Sequence, residues 1–267
     1  MSTFRFKKFS VVNERSAMKV NTDGVLLGAV MTILPTDRSL LDIGTGTGTI
    51  ALMAAQRLTS LLELPMSGQA TPQDDHVIAR SNGVATWQFK VTAIDIDEPS
   101  ATEAAANFSN SPWADHLHAY NQSLDSFAAQ LPSDELFDLI FSNPPYFEDS
   151  LTAPDQRKST ARHTSDGLSY RDILDFAAQR LSENGHVAFV LPSDQEHPLC
   201  RYARMCGLHL FRVTRVRTVP RKAPSRIIAE FSRCRCENPE DTTLTIQDEG
   251  KYTQGYLDVM RDFYLFA

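Results

Sequence analysis

Asn143-Pro144-Pro145-Tyr146 follows the apolar run Leu139-Ile140-Phe141 and offers hydrogen-bond acceptors where an amine could be held. An amino group conjugated to an electron-poor ring or carbonyl is a weak nucleophile, because its lone pair is delocalised into the π-system. Attack on a methyl donor requires that the group be gripped and guided toward a tetrahedral nitrogen. The Asn143 side-chain oxygen and the Pro144 carbonyl would accept its two N–H bonds as that geometry develops, and Tyr146 would stack on the flat group. Both prolines fix φ and lack an N–H, so the turn is stiff and presents acceptors. No general base is required, since an amine that has gained a methyl group loses its proton to water. The plainer reading is a rigid turn after a strand, because Asn-Pro and Pro-Pro are ordinary loop punctuation.

A second motif lies upstream. Asp42-Ile43-Gly44-Thr45-Gly46-Thr47-Gly48 joins a predicted buried strand, Leu40–Ile43, to a predicted helix from Thr49. Gly44, Gly46 and Gly48 permit positive φ and close approach of a ligand at the first strand-to-helix crossing of a doubly wound sheet. The spacing is G-x-G-x-G, not the G-x-G-x-x-G of dinucleotide sites, which favours a nucleoside such as S-adenosylmethionine over NAD. The next strand, near Val91–Ile94, ends in Asp95-Ile96-Asp97. A carboxylate there accepts from both ribose hydroxyls; Asp95 is the candidate, and Asp97 reads equally as a helix N-cap. Asp42 has an alternative role in tying down the glycine turn through backbone N–H groups.

These residues resemble the class I S-adenosylmethionine-dependent methyltransferases, and the tetrapeptide is similar to that of the branch acting on adenine N6, cytosine N4 or glutamine N5. Phe4-Arg5-Phe6-Lys7-Lys8-Phe9, the stretch Met18 to Ala29, Ala161-Arg162-His163 and Asp262-Phe263-Tyr264-Leu265 resemble the bacterial tRNA1(Val) adenine-37 N6-methyltransferases. The resemblance spans nearly the whole chain. It implies that Asn21, Thr22 and Asp23 border the methionine end of the cofactor, the glycine turn its middle and Asp95 its ribose. Where such enzymes often place an Asp or Asn against the adenine, this chain reads Tyr120-Asn121-Gln122-Ser123, leaving Gln122 or Ser123 as candidates. The implied substrate is tRNA. Rival readings are a glutamine-N5 methyltransferase acting on a release factor or another protein, and a non-catalytic RNA-binding module on the same fold. Forty-one residues precede Asp42, which leaves little for the helical substrate-binding region that glutamine methyltransferases carry there.

The elements that must position these residues read as alternating strands and helices through Leu191. An antiparallel pair follows (Leu208 to Val219, Arg226 to Cys234), then a closing helix, Gln254 to Leu265. The expected architecture is a Rossmann-like class I methyltransferase: α/β, with a doubly wound, mostly parallel seven-stranded sheet and an antiparallel edge. Asn143 would end the fourth strand beside the first, at the switch point. At 267 residues the chain fits one domain, 1–267. Residues 1–37 would cap cofactor and substrate, and 64–86, polar with Pro65, Gly68, Pro72 and Gly83, would be a flexible surface insertion.

Charge bears on the partner. The chain has 26 basic and 33 acidic residues, a net of −7, yet Arg201 to Arg235 holds ten basic residues against Glu230 alone, a local net of plus nine. Arg221-Lys222 in the turn of the antiparallel pair, with Lys7 and Lys8 near the start, would grip phosphates and give salt-dependent affinity. Arg162 and His163 would close over the substrate. The alternatives are a solvated strand face for the basic run and an ordinary loop histidine for His163. Phe147 would be either a second apolar wall or core. The longest apolar stretch, Gly24 to Leu34, is too short to span a membrane, so a cytoplasmic protein is expected, and a monomer. The four cysteines, spaced C-x5-C and C-x-C, lack the pairing of zinc ligands and read as free thiols. No metal is expected.

Overall fold

The computed structural model describes residues 2–63, 77–81, 84–145 and 167–267. In chain order the elements are β1 Thr3–Arg5, β2 Ser10–Val12, α1 Thr22–Val30, β3 Ser39–Ile43, α2 Thr49–Glu63, β4 Val77–Ser81, β5 Val84–Trp87, β6 Lys90–Asp95, α3 Glu98–Ser109, β7 Leu117–Asn121, α4 Leu124–Gln130 and β8 Phe137–Ser142. After the site come α5 Tyr170–Arg180, β9 Leu181–Pro192, α6 Glu196–Met205, β10 His209–Arg217, β11 Arg226–Ser232, β12 Glu240–Thr245, β13 Gln247–Asp248, β14 Lys251–Tyr252 and α7 Gln254–Met260.

Largely apolar runs, interrupted by the buried Asp42 in β3 and Thr92 in β6, make β3, β6, β8 and β9 central strands, because a strand covered by helices on both faces is apolar on both. They pair in parallel, with Leu40 opposite both Val91 and Leu139. The sheet runs β12-β10-β11-β9-β8-β3-β6-β7; β11 is antiparallel to both β9 and β10. One face packs on α1, α2, α3 and α7 through Leu27, Leu52, Phe108 and Met260. The other packs on α4, α5 and α6 through Phe127, Ile173 and Leu199. The chain turns from β3 to β8 on opposite sides of one crevice, and that crevice is where the two sequence motifs meet.

The expected parallel core with its antiparallel edge is present, and the sheet has one strand more than the seven expected. β12 adds parallel to β10, with Arg212 opposite Glu240 and Thr214 opposite Thr242. Its sequence, Glu-Asp-Thr-Thr-Leu-Thr, buries only Leu244, so no apolar alternation announces it. Cross-strand polar pairs attach it instead: Arg212 to Glu240 at 3.4 Å, Arg215 to Asp241 at 3.1 Å, and the Thr214 and Thr242 hydroxyls at 3.1 Å.

Three other differences are local. The closing helix ends at Met260, short of Leu265, where the Phe263 and Tyr264 amides both turn back to the Met260 carbonyl at 2.9 Å. The insertion contains an antiparallel hairpin, β4 with β5; residues 64–76 and 82–83 lie outside the described residues. The N-terminal hairpin β1/β2 pairs Thr3 with Val12 and buries Phe6 and Phe9, whose rings stack at 4.5 Å.

Candidate active site

The glycine turn is built by positive φ at Gly44 (74°), Gly46 (56°) and Gly48 (78°), values that L side chains rarely adopt. The Gly44 and Thr45 amides both donate to the Ile94 carbonyl (2.9 and 3.1 Å), and the Gly48 amide donates to the Thr45 carbonyl at 2.9 Å. Gly48 also lacks room: a Cβ there would stand 2.5 Å from Cε1 of the buried Phe108 ring. Beneath the turn Asp42 is fully buried, and its Oδ2 accepts from the Thr45 hydroxyl at 2.8 Å. Burial pushes its carboxyl up to about 7, the nearby Asp95 charge pushes the same way, and the Thr45 hydrogen bond opposes. The sequence-based alternative for Asp42 is tying down the turn through backbone N–H groups; the contact at its Oδ2 is instead with the Thr45 side-chain hydroxyl.

Asp95 sits at the carboxyl end of β6. Its Oδ2 accepts from the Gly46 amide at 2.8 Å and its Oδ1 from the Asp97 amide at 2.9 Å. Desolvation raises its pKa above the ordinary carboxylate value. Asp97 is the N-cap of α3, accepting from the Ser100 amide at 3.0 Å. Between them Ile96 is 77% exposed. Its sequence signal is an apolar side chain flanked by two carboxylates at a strand-to-helix turn.

The tetrapeptide begins where β8 ends. The Ser142 hydroxyl donates to the Ile43 carbonyl at 2.6 Å, fastening the tip of β8 to the tip of β3. Asn143 and Pro144 are buried and Pro145 is exposed. The Asn143 Nδ2 donates to the Met18 sulfur at 3.5 Å. Tyr146, Phe147, Arg162 and His163 lie outside the described residues. Where the chain returns, a Cβ at Gly44 would touch the Leu168 side chain at 3.7 Å.

An N-terminal arm crosses both motifs, and two buried polar residues of α3 hold it there. Glu103 Oε2 accepts from the Glu14 and Arg15 amides (2.8 and 2.7 Å), and its Oε1 accepts from the Ser16 amide at 3.2 Å. Asn107 exchanges two bonds with Val12 and donates to the Thr47 carbonyl at 2.9 Å. The arm then passes over the turn, with a Cβ at Gly46 reaching 3.5 Å from both the Met18 carbonyl and the Ser16 hydroxyl. Of the three residues expected at the methionine end, Asn21 caps α1 by accepting from the Gly24 amide at 2.8 Å. Thr22 is exposed in its first turn, and Asp23 pairs with Arg226 at 2.8 Å. After β7, Ser123 caps α4 by accepting from the Ser126 amide (3.2 Å), and the Gln122 side chain donates to Gln130 at 3.0 Å. The Gln122 amide, by contrast, donates to the Asp95 carbonyl at 3.0 Å.

A family model described as "RMKL-like, methyltransferase domain" matches residues 30–218. The chain belongs to the RMKL-like methyltransferases. It is 38% identical to the tRNA1(Val) (adenine(37)-N6)-methyltransferase of Parabacteroides distasonis over 98% of this chain and 97% of that protein. Proteins of the same name from Flavobacterium johnsoniae and Photobacterium profundum are each 35% identical, covering 98% of this chain and 99% and 98% of their own lengths. Among solved structures, a predicted O-methyltransferase from Agrobacterium tumefaciens superposes with a TM-score of 0.57 at 16% identity, covering 90% of this chain and 96% of its own. The 16S rRNA N2 G1207 methyltransferase of T. thermophilus gives 0.51 at 16% identity, covering 87% of this chain and 50% of its own. These two likenesses carry the fold, and it is the class I methyltransferase fold.

The basic surface of this RMKL-like methyltransferase is smaller than its sequence suggests, because Glu230 within the run from Arg201 to Arg235 and acids from elsewhere in the chain pair with several of its arginines. Arg212 pairs with the buried Glu230 at 3.1 Å, Arg215 with Glu196 and Asp241, and Arg226 with Asp23. Arg217 is turned onto the Thr245 hydroxyl and the Pro220 carbonyl. Arg221 and Lys222 are exposed on the β10–β11 turn, which the Lys222 amide closes on the Val219 carbonyl at 3.1 Å. Lys8 is exposed, whereas the Lys7 ammonium holds the Ala267 carbonyl at 2.8 Å and that of Arg261. Among the described residues no three His, Cys, Asp or Glu side chains group as metal ligands, and the four cysteines are free. No described helix is long and apolar enough to cross a membrane.

Proposed function

We propose that this chain methylates the exocyclic amine of an adenine in tRNA, the base being adenine 37 of tRNA1(Val), as in the name its relatives carry. The observation that carries the reading is the fastening of Asn143 beside the glycine turn, by Ser142 on Ile43 below and by Met18 above. S-adenosylmethionine, when bound, supplies a methyl group on a positively charged sulfur. The residues present fit it: three glycines without side chains at the turn, a half-buried carboxylate at Asp95 and an exposed apolar neighbour at Ile96.

Asn143 Oδ1 and the Pro144 carbonyl accept the two N–H bonds of the amine and favour the tetrahedral nitrogen. Tyr146 stacks the adenine, and Arg162 with His163 closes over it. Lys8, Arg221 and Lys222 grip phosphates. Positioning provides most of the acceleration. The protein works in the cytoplasm as a monomer, without a metal. Labelled methyl transfer offered to unmodified tRNA, ribosomal RNA, duplex DNA and bulk protein tests the reading. Label in tRNA that is lost in Asn143→Ala supports it, and label confined to protein sinks it in favour of glutamine methylation.

A further inference from the structure

Among the described residues, Met18 of the N-terminal arm touches both motifs. Its carbonyl and Cβ lie against Gly46, 3.5 and 3.8 Å from where a Cβ would stand, and its carbonyl accepts from the Ser16 hydroxyl at 2.9 Å. Its sulfur accepts from Asn143 Nδ2 at 3.5 Å. A methionine serving only as core would be covered, whereas Met18 is 39% exposed at the open side of the crevice.

We propose that Met18 is a positioning residue that sets which way the Asn143 amide faces. The inference rests on the proposed role of Asn143 as the acceptor for the substrate amine. A side-chain amide has a donor end and an acceptor end, almost equal in size, and only the acceptor end can take an amine N–H. A thioether carries lone pairs and no proton. It attracts the NH2 end and repels the oxygen, so the amide is oriented by chemistry that shape alone cannot provide. With NH2 directed at Met18, Oδ1 occupies the opposite edge of the amide. The same arm is fixed upstream by Glu103 on three consecutive amides, so the sulfur is held in place over a distance of 125 residues along the chain.

Met18→Leu keeps the apolar volume and removes the acceptor, and Met18→Gln restores an acceptor at similar reach. The leucine variant should lower kcat about three- to tenfold, the scale of one weak N–H···S bond, with KM for tRNA and the affinity for S-adenosylmethionine within about twofold of the parent. The glutamine variant should recover most of kcat. Equal impairment of both variants, an unchanged kcat in Met18→Leu, or a loss confined to cofactor affinity would overturn the proposal, since packing alone would then explain the residue. The Asn143 side-chain NH2 resonance, identified by its disappearance in Asn143→Asp, gives a readout independent of turnover. It should move in Met18→Leu and return toward its parent position in Met18→Gln. Failure to move overturns the contact whatever the activity; movement in a parent protein that transfers no methyl group overturns the functional reading and leaves the contact standing.

Discussion

Replacing Glu103 should release the arm that carries Met18. The carboxylate is buried (5% exposed) and accepts three backbone amides, those of Glu14, Arg15 and Ser16. A hydrogen bond to a charged group contributes about 1.5–3 kcal/mol, and a buried donor left without a partner costs about 1–3 kcal/mol. In Glu103→Ala, water can reach the amides of the exposed Glu14 and Arg15, whereas that of the buried Ser16 is stranded. The expected total is about 3–4 kcal/mol. Glu103→Gln retains an acceptor for two amides but turns an NH2 toward the Ser16 amide, so about half that loss is expected. The readout is hydrogen exchange at residues 14–16. Local opening that becomes easier by about 3 kcal/mol speeds exchange by about two orders of magnitude, with a smaller acceleration in the glutamine variant. Exchange at these amides unchanged in Glu103→Ala would refute the view that this side chain holds the arm.

Asp42→Asn should flatten the dependence of stability on pH. The folded state holds the Asp42 proton up to about 7, against 3.8 for an ordinary Asp carboxyl, so the parent's stability from this group is complete below about pH 4 and is lost as pH rises through 7. The raised Asp95 acts in the same sense. Denaturant unfolding at pH 4 and 8 should show the variant gaining on the parent at pH 8 by up to roughly 4 kcal/mol; parallel curves would contradict this. Gly48→Ala, with its φ of 78° and a contact of 2.5 Å to Phe108, should cost about 2–5 kcal/mol. Gly46→Ala meets nothing nearer than 3.5 Å and should cost about 1 kcal/mol of folding stability; equal thermal shifts would refute the distinction. Converting Arg221 and Lys222 together to Ala should reduce the salt dependence of tRNA binding by about 1.5 in log–log slope, whereas Arg215→Ala, already paired with Glu196 and Asp241, should leave it unchanged. A slope insensitive to the Arg221/Lys222 change would remove that turn from the interface.

What was legible in the sequence shares a physical cause. β3, β6 and β8 announce themselves because burial on both faces demands predominantly apolar residues, and the glycine turn because positive φ and close packing exclude other side chains. Asp97 was readable as an N-cap because caps act within three residues. What was not legible depends on long-range partners. The net of plus nine between Arg201 and Arg235 says nothing of Glu196, Asp23, Glu240 and Asp241, which neutralise much of it. β12 is held by the pairs of Glu240 and Asp241 and the Thr214–Thr242 hydroxyl contact, and so lacks an apolar signature. Glu103 and Asn107 read as an ordinary polar pair one turn apart on α3, and only the fold brings the arm across them. Met18 meets Asn143 from 125 residues away.

The measurement that bears most directly on the account is the identity and position of the methylated product. Unmodified total tRNA is labelled by the enzyme with S-adenosylmethionine; one portion is digested to nucleosides to identify the product, and the intact labelled tRNA is isolated from the other and sequenced to place it. The account predicts N6-methyladenosine at position 37 of tRNA1(Val), abolished in Asn143→Ala. Label recovered in another nucleoside, or N6-methyladenosine that persists undiminished without the Asn143 amide, would contradict it.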